Sequence, residues 1–132
     1  VVIGLINEIT PDTKVIFLCT PNKPTGNLLN REAILEVLDQ FDGIVVIDEA
    51  YIDFTRAESF TTQLRTYQNL VVLQTFSKAW GLAGLRLGMA LSNPEITLIL
   101  NKIKYPYNVS IQTQEIALRT LQSQDEKDKA DK

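Results

Sequence analysis

The chain has 132 residues, 45% of them hydrophobic, enough to bury one core and too few for two domains. Its formal net charge of -3 argues against nucleic acid or an anionic membrane as partner, because both select basic surfaces. It has no histidine, which excludes histidine metal sites, Ser-His triads and histidine general bases, so any chemistry must run on Lys, Asp, Glu, Tyr, Arg or hydroxyls.

Val15 to Cys19 is a continuous apolar run closed by Thr20-Pro21-Asn22-Lys23-Pro24-Thr25-Gly26, and it predicts a buried strand entering a stiff loop. Residues 31–41 place Ala33, Ile34, Val37, Leu38 and Phe41 on one helical face, with Asn30 as N-cap and Gly43 as the stop. Ile44 to Ile47 is a second buried strand ending at Asp48. A short helix is predicted after Ser59, with Phe60, Leu64 and Tyr67 on one face. Leu70 to Leu73 is a third strand, running into Thr75-Phe76-Ser77-Lys78, and Leu87 to Leu91 is a fourth. Asn93-Pro94-Glu95 opens a helix whose buried stripe is Ile96, Ile99, Leu100 and Ile103. A last helix starts near Ser110 and is expected to turn Ile111, Ala117, Leu118 and Leu121 inward. The i,i+4 pairs Asp125–Lys129 and Asp128–Lys132 predict that it continues toward the end of the chain.

Apolar strands alternating with amphipathic helices predict an α/β fold, a mainly parallel sheet with helices on both faces. Ligands of such sheets sit at the carboxyl ends of the strands. Thr20 to Gly26, Asp48 to Tyr51 and Thr75 to Arg86 each follow a strand, so the three polar clusters should form one site.

Within that site Lys78 stands out. A surface lysine is the commoner use of the residue, but Phe76, Trp80 and Leu82 are apolar neighbours that should tuck the segment in. A desolvated amine near a second cation becomes nucleophilic toward carbonyls, the requirement for a Schiff base, and Arg86 is the candidate cation. Bracketed by apolar residues, Arg86 either flanks a strand or grips an anion such as phosphate with its planar fork. Thr75 and Ser77 offer hydroxyls to the same anion, although each by itself is more often a turn residue. Asp48 either caps a turn or keeps a pyridine nitrogen protonated, and Tyr51 stands three residues on.

Taken together, Asp48-Glu49-Ala50-Tyr51, Thr75-Phe76-Ser77-Lys78 and Gly84-Leu85-Arg86-Leu87-Gly88, preceded by Pro21-Asn22-Lys23-Pro24-Thr25-Gly26, resemble the fold-type I pyridoxal-phosphate aminotransferases in order and approximate spacing. The resemblance covers about Val15 to Leu121. Cys19-Thr20-Pro21-Asn22, Val46 to Tyr51 and Tyr105 to Ser110 look most like the histidinol-phosphate aminotransferases. It implies a three-layer α/β/α large domain over residues 1–132 and pyridoxal 5'-phosphate as cofactor. It further implies Lys78 as the catalytic Schiff-base lysine that shuttles the proton, Asp48 at the pyridine nitrogen and Tyr51 at the phenolic oxygen. Ser77, Arg86 and Thr75 would hold the phosphate. The implied substrates are histidinol phosphate and glutamate/2-oxoglutarate, in a cytoplasmic homodimer. One position departs from the pattern. The family usually has Pro-Asn-Asn-Pro-Thr-Gly, whose second asparagine touches the phenolic oxygen; here that position is Lys23, which either pairs with that oxygen or points to solvent.

The single cysteine, Cys19, excludes an intrachain disulfide and fits a reducing cytosol. No apolar run approaches the roughly 18 residues needed to span a bilayer, and Val1-Val2-Ile3 has no basic region leading to a cleavage site. Family members are far longer. Their upstream phosphate-binding turn, the tyrosine lent by a neighbouring subunit and the carboxylate-binding arginine of a small domain have no counterpart here, so this chain by itself is expected not to transaminate. The rival readings are a pyridoxal-phosphate lyase such as a threonine-phosphate decarboxylase, and a non-catalytic domain of the same fold.

Overall fold

The structure, a computed structural model, describes residues 2–123. After a short helix α1 (Val2–Ile6) come strand β1 (Val15–Cys19), helix α2 (Arg31–Gln40), strand β2 (Ile44–Asp48), strand β3 (Leu70–Thr75), strand β4 (Gly88–Ser92) and helices α3 (Pro94–Ile103) and α4 (Ile111–Gln122). Single 3₁₀ turns occupy Ile52–Phe54, Phe60–Gln63 and Ala83–Leu85.

The sheet order is β1-β2-β3-β4. The first three strands run parallel, with Cys19 beside Asp48 and Asp48 beside Leu73, so their carboxyl ends finish at one level. β4 returns antiparallel, pairing Gly88 with Thr75. A continuous apolar run carries no direction, which is why the sequence pattern does not distinguish this edge strand from the parallel ones.

One face of the sheet meets α2. Ile34 and Val37 are fully buried against Val45, Ile47, Leu70 and Val72, with Phe41 and Phe60 closing the cluster. Each such side chain contributes about 1.5–3 kcal/mol over its exposed state. The Asn30 side chain accepts from the Ala33 amide at 2.7 Å and caps α2. At the other end Asn69 donates to the carbonyl of Phe41 at 2.8 Å, giving the helix end a polar partner. Gly43 turns the chain into β2 where no larger residue fits: a Cβ there would lie 2.4 Å from the Phe41 ring and 2.5 Å from the Lys14 carbonyl.

Three expectations need correction. The helix after Ser59 is only the 3₁₀ turn Phe60–Gln63; Phe60 is buried, but Leu64 and Tyr67 are half-buried and the chain does not hold helical turns between them. The apolar stripe of α3 is not buried: Ile99 and Ile103 are exposed and Ile96 is half-buried. In α4 only Ala117 turns inward, while Ile111, Leu118 and Leu121 face out. Helical period tells which side of a helix is apolar but not what covers it, and the described residues leave these two sides uncovered. The pairs Asp125–Lys129 and Asp128–Lys132 lie outside the described residues. Among those described, no helix is long and apolar enough to cross a membrane.

Candidate functional site

The site forms where the parallel strands end. Past β1 the chain enters a loop held by its own polar groups. The buried Thr20 hydroxyl accepts from the Leu29 amide at 3.1 Å, and the Thr20 amide donates to the Asp48 carbonyl at 3.0 Å. Asn22 closes the tip: its amide donates to the Asn27 carbonyl at 2.9 Å, and its side chain donates to the Thr25 hydroxyl at 2.7 Å. Past β2, Asp48 accepts from the Ala50 amide at 2.9 Å, which turns the chain toward Tyr51. Past β3, Thr75 makes the equivalent turn, accepting from the Ser77 amide at 3.1 Å and donating to the Leu87 carbonyl at 3.3 Å.

Asp48, Thr75, Ser77, Lys78 and Arg86 line one cavity of about 360 Å³, walled also by Ala50, Leu73 and Gln74. Tyr51 lies just outside it, in an adjoining hollow of about 390 Å³ with Asn22, Lys23 and Phe54. Lys78 joins the two, its Nζ 5.3 Å from the Tyr51 ring centre. The Tyr51 phenol is held below its ordinary value, first by its hydrogen bond to Lys78, against a weaker upward push from desolvation, and further by the charge of Lys23. All six residues singled out from the sequence therefore meet at one sheet edge, in two adjoining hollows.

The environment of two of them differs from expectation. Lys78 is exposed rather than tucked in. Phe76 and Ala79 take the inward positions of the tight loop, and the Phe76 ring meets Trp80 in a tilted contact, 5.6 Å between centres, so Lys78 rises outward between them. Arg86 is exposed too, and its backbone is left-handed (φ 52°) at the end of the 3₁₀ turn Ala83–Leu85. That conformation costs a non-glycine residue about 1–2 kcal/mol. One guanidinium nitrogen donates to the Ala83 carbonyl at 3.0 Å, and Arg86 is part of the cavity lining. Apolar neighbours in sequence did not bury either cation, because they turn inward while Lys78 and Arg86 turn out. Asp48 is half-buried, because it ends its strand at the open cavity.

Glu49 was not anticipated. It is 1% exposed, and it accepts from the Phe60 amide at 2.7 Å, the Ser59 hydroxyl at 2.6 Å and the Gln74 side chain at 3.0 Å. These bonds tie the end of β2 to the end of β3. Strand alternation was the available signal: with Asp48 at the cavity, the next residue must point toward the core.

The model of the family described as aminotransferase class I and II matches residues 2–132. The chain belongs to that family. A histidinol-phosphate aminotransferase of Parabacteroides distasonis is 62% identical over 109 residues, 83% of this chain and 32% of the relative. One from Cytophaga hutchinsonii is 52% identical over 125 residues, 95% of this chain and 36% of the relative. The chain thus spans about a third of the length of these curated relatives. Among solved structures, histidinol-phosphate aminotransferase from Sinorhizobium meliloti, in complex with pyridoxal-5'-phosphate, aligns with TM-score 0.85 and 26% identity, over 98% of this chain and 36% of that one. L-threonine-O-3-phosphate decarboxylase from Porphyromonas gingivalis aligns with TM-score 0.72 and 32% identity, over 82% of this chain and 34% of that one. The mostly parallel α/β architecture is that of the aminotransferases.

Proposed function

We propose that the chain is the cofactor-binding portion of the large domain of a pyridoxal-phosphate transaminase, which exchanges amino groups between histidinol phosphate and 2-oxoglutarate in histidine biosynthesis. The observation that carries this is the lining of one cavity by Asp48, Lys78 and Arg86. An acid, an amine and a guanidinium on one cavity wall match the three polar features of pyridoxal phosphate: a basic ring nitrogen, an aldehyde and a phosphate. The names of the relatives favour histidinol phosphate as substrate. A cytoplasmic homodimer is part of the same reading.

The residues present fit the cofactor and divide its functions. Asp48, placed at the end of the central β2, would hold the ring nitrogen protonated. Tyr51 would donate to the phenolic oxygen, and Ser77 and Arg86 would hold the phosphate. The Thr75 hydroxyl directs its proton to Leu87, so its contribution is to shape the turn as well as line the cup. Bound there, the cofactor supplies an electron-withdrawing ring that stabilises negative charge on the substrate carbon. Lys78 would anchor it covalently and then, released as a free amine, move the proton between substrate and cofactor carbons. Its Nζ lies 5.3 Å from the Tyr51 ring centre, and Lys78 shares one cavity lining with Asp48 and Arg86, which supports this reading.

The test is made on the full-length protein, assayed with histidinol phosphate plus 2-oxoglutarate and, separately, with threonine O-3-phosphate. Glutamate formation that Lys78→Ala abolishes is the expected result. Carbon dioxide release from threonine phosphate without amino transfer would assign the protein to the decarboxylases instead.

A further inference from the structure

Glu49 bonds to both of the segments whose side chains meet at Tyr51 and Lys78. Its carbonyl accepts from the Ile52 amide at 3.0 Å, holding the turn that carries Tyr51. Its amide donates to the Leu73 carbonyl at 2.9 Å, and its carboxylate accepts at 3.0 Å from Gln74, the residue before Thr75. The other partners of the carboxylate, the Ser59 hydroxyl and the Phe60 amide, draw the far end of the Tyr51 loop back onto β2. Arg31 holds the same end from α2. It donates to the Glu58 carbonyl at 2.9 Å, pairs with the Glu58 carboxylate at 3.0 Å and lies 4.3 Å from the Phe60 ring centre. Residues 50–58 therefore form a closed loop, shut at its base by Glu49, and Tyr51 stands within it.

Stability alone does not account for an acid at this place. Glu49 is one of the largest fully buried side chains, and among the described residues it pairs with no cation. Desolvating a carboxylate is costly, and an apolar side chain of similar volume often packs as well or better. What the carboxylate provides instead is direction: two oxygens, met by donors from three positions in the chain, fix where the loop closes. The contact between Tyr51 and Lys78 spans the two segments so fixed, with Lys78 Nζ 5.3 Å from the Tyr51 ring centre. We propose that Glu49 is a positioning residue of the cofactor site, closing the Tyr51 loop against the end of β3 so that the phenol stands at Lys78. This rests on the reading of the site as a pyridoxal-phosphate cup, in which Tyr51 and Lys78 both serve the cofactor.

Charge and position make opposite predictions for the Tyr51 phenol, whose charged neighbours are Lys78 and Lys23. Removing a nearby negative charge lowers a phenol's ionisation. A phenol drawn away from Lys78 instead loses the hydrogen bond that holds it down, and its ionisation rises. In the full-length apoprotein, ultraviolet difference titration of each variant against the same variant carrying Tyr51→Phe follows this group. Glu49→Ala should move it to higher pH, toward its position in Lys78→Met. Glu49→Gln, which can still accept from the Phe60 amide, should leave it at the wild-type position. In a Lys78→Met background Glu49→Ala should add no further rise, the mark of two changes acting through one contact. Circular dichroism at each pH confirms the fold. Where Glu49→Ala is unfolded, Glu49→Asp replaces it, keeping the charge while drawing the carboxylate back from its donors, and should move Tyr51 the same way. An unmoved or lowered Tyr51 ionisation in the folded variant, or an equal rise in Glu49→Gln, overturns the proposal while leaving the cup intact if wild-type protein still holds the cofactor on Lys78. Failure of wild-type protein to hold it there overturns both.

Discussion

Glu49→Ala removes a buried acceptor that three donors share, and its cost can be worked out bond by bond. The Ser59 hydroxyl has an alternative in Thr61, whose hydroxyl lies 2.9 Å away, and Gln74 is half-buried and can reach water. The Phe60 amide has neither escape, because Phe60 is 4% exposed and, among the described residues, Glu49 Oε1 is the acceptor it uses. An orphaned interior amide costs about 1–3 kcal/mol, and the void left by truncation adds to it. Relief from desolvating the carboxylate works in the opposite direction, but three hydrogen bonds already offset most of that penalty. The expected net loss is about 2–4 kcal/mol. Glu49→Gln should cost less than about 1.5 kcal/mol, because its carbonyl can take the Phe60 amide while its NH₂ donates to Ser59 and to a flipped Gln74. Urea unfolding of the full-length variants measures the difference, and hydrogen exchange at the Phe60 amide locates it. A loss below about 0.5 kcal/mol for Glu49→Ala, within the range of an ordinary surface change, would refute the reasoning. Equal losses for the two variants would refute it as well.

Gly43→Ala should destabilise by about 1–3 kcal/mol, since its methyl group would overlap the Phe41 ring and the Lys14 carbonyl; thermal unfolding checks this. The Tyr67 phenol should titrate above 10.0, raised first by burial and then by Asp39, and Asp39→Asn should bring it down in a spectrophotometric titration. Because its folded value is raised, the stability linked to the Tyr67 proton is fully present below pH 10.0 and is lost as pH rises through that folded value. Lys78→Met should raise the Tyr51 ionisation in the apoprotein, because the hydrogen bond to Lys78 is the largest influence lowering it.

Much of this fold could be read from sequence because its central elements signal themselves locally. Ile44 to Ile47 is apolar on both faces, as a buried parallel strand must be, and Asn30, Asn93 and Ser110 each cap the helix that follows them. The convergence of the polar clusters was legible for the same reason: polar residues following apolar strands land together when parallel strands end at one level. What was not legible depends on contacts made at a distance. The outward position of Lys78 follows from Phe76 and Ala79 filling the interior, and the separation of Tyr51 into its own hollow follows from the turn at Ala50. The exposure of Ile99, Ile103 and Ile111 depends on what lies opposite them, which helical period does not encode.

The central claim is that Lys78 is the residue that takes the cofactor at this sheet edge. The direct measurement is to load the full-length protein with pyridoxal phosphate, reduce it with borohydride, digest it and find the modified peptide by mass. The account predicts the reduced cofactor on Lys78, with labelling lost in Lys78→Ala and weakened in Arg86→Ala as phosphate binding fails. Modification of Lys23 instead, or undiminished labelling in Lys78→Ala, would contradict it.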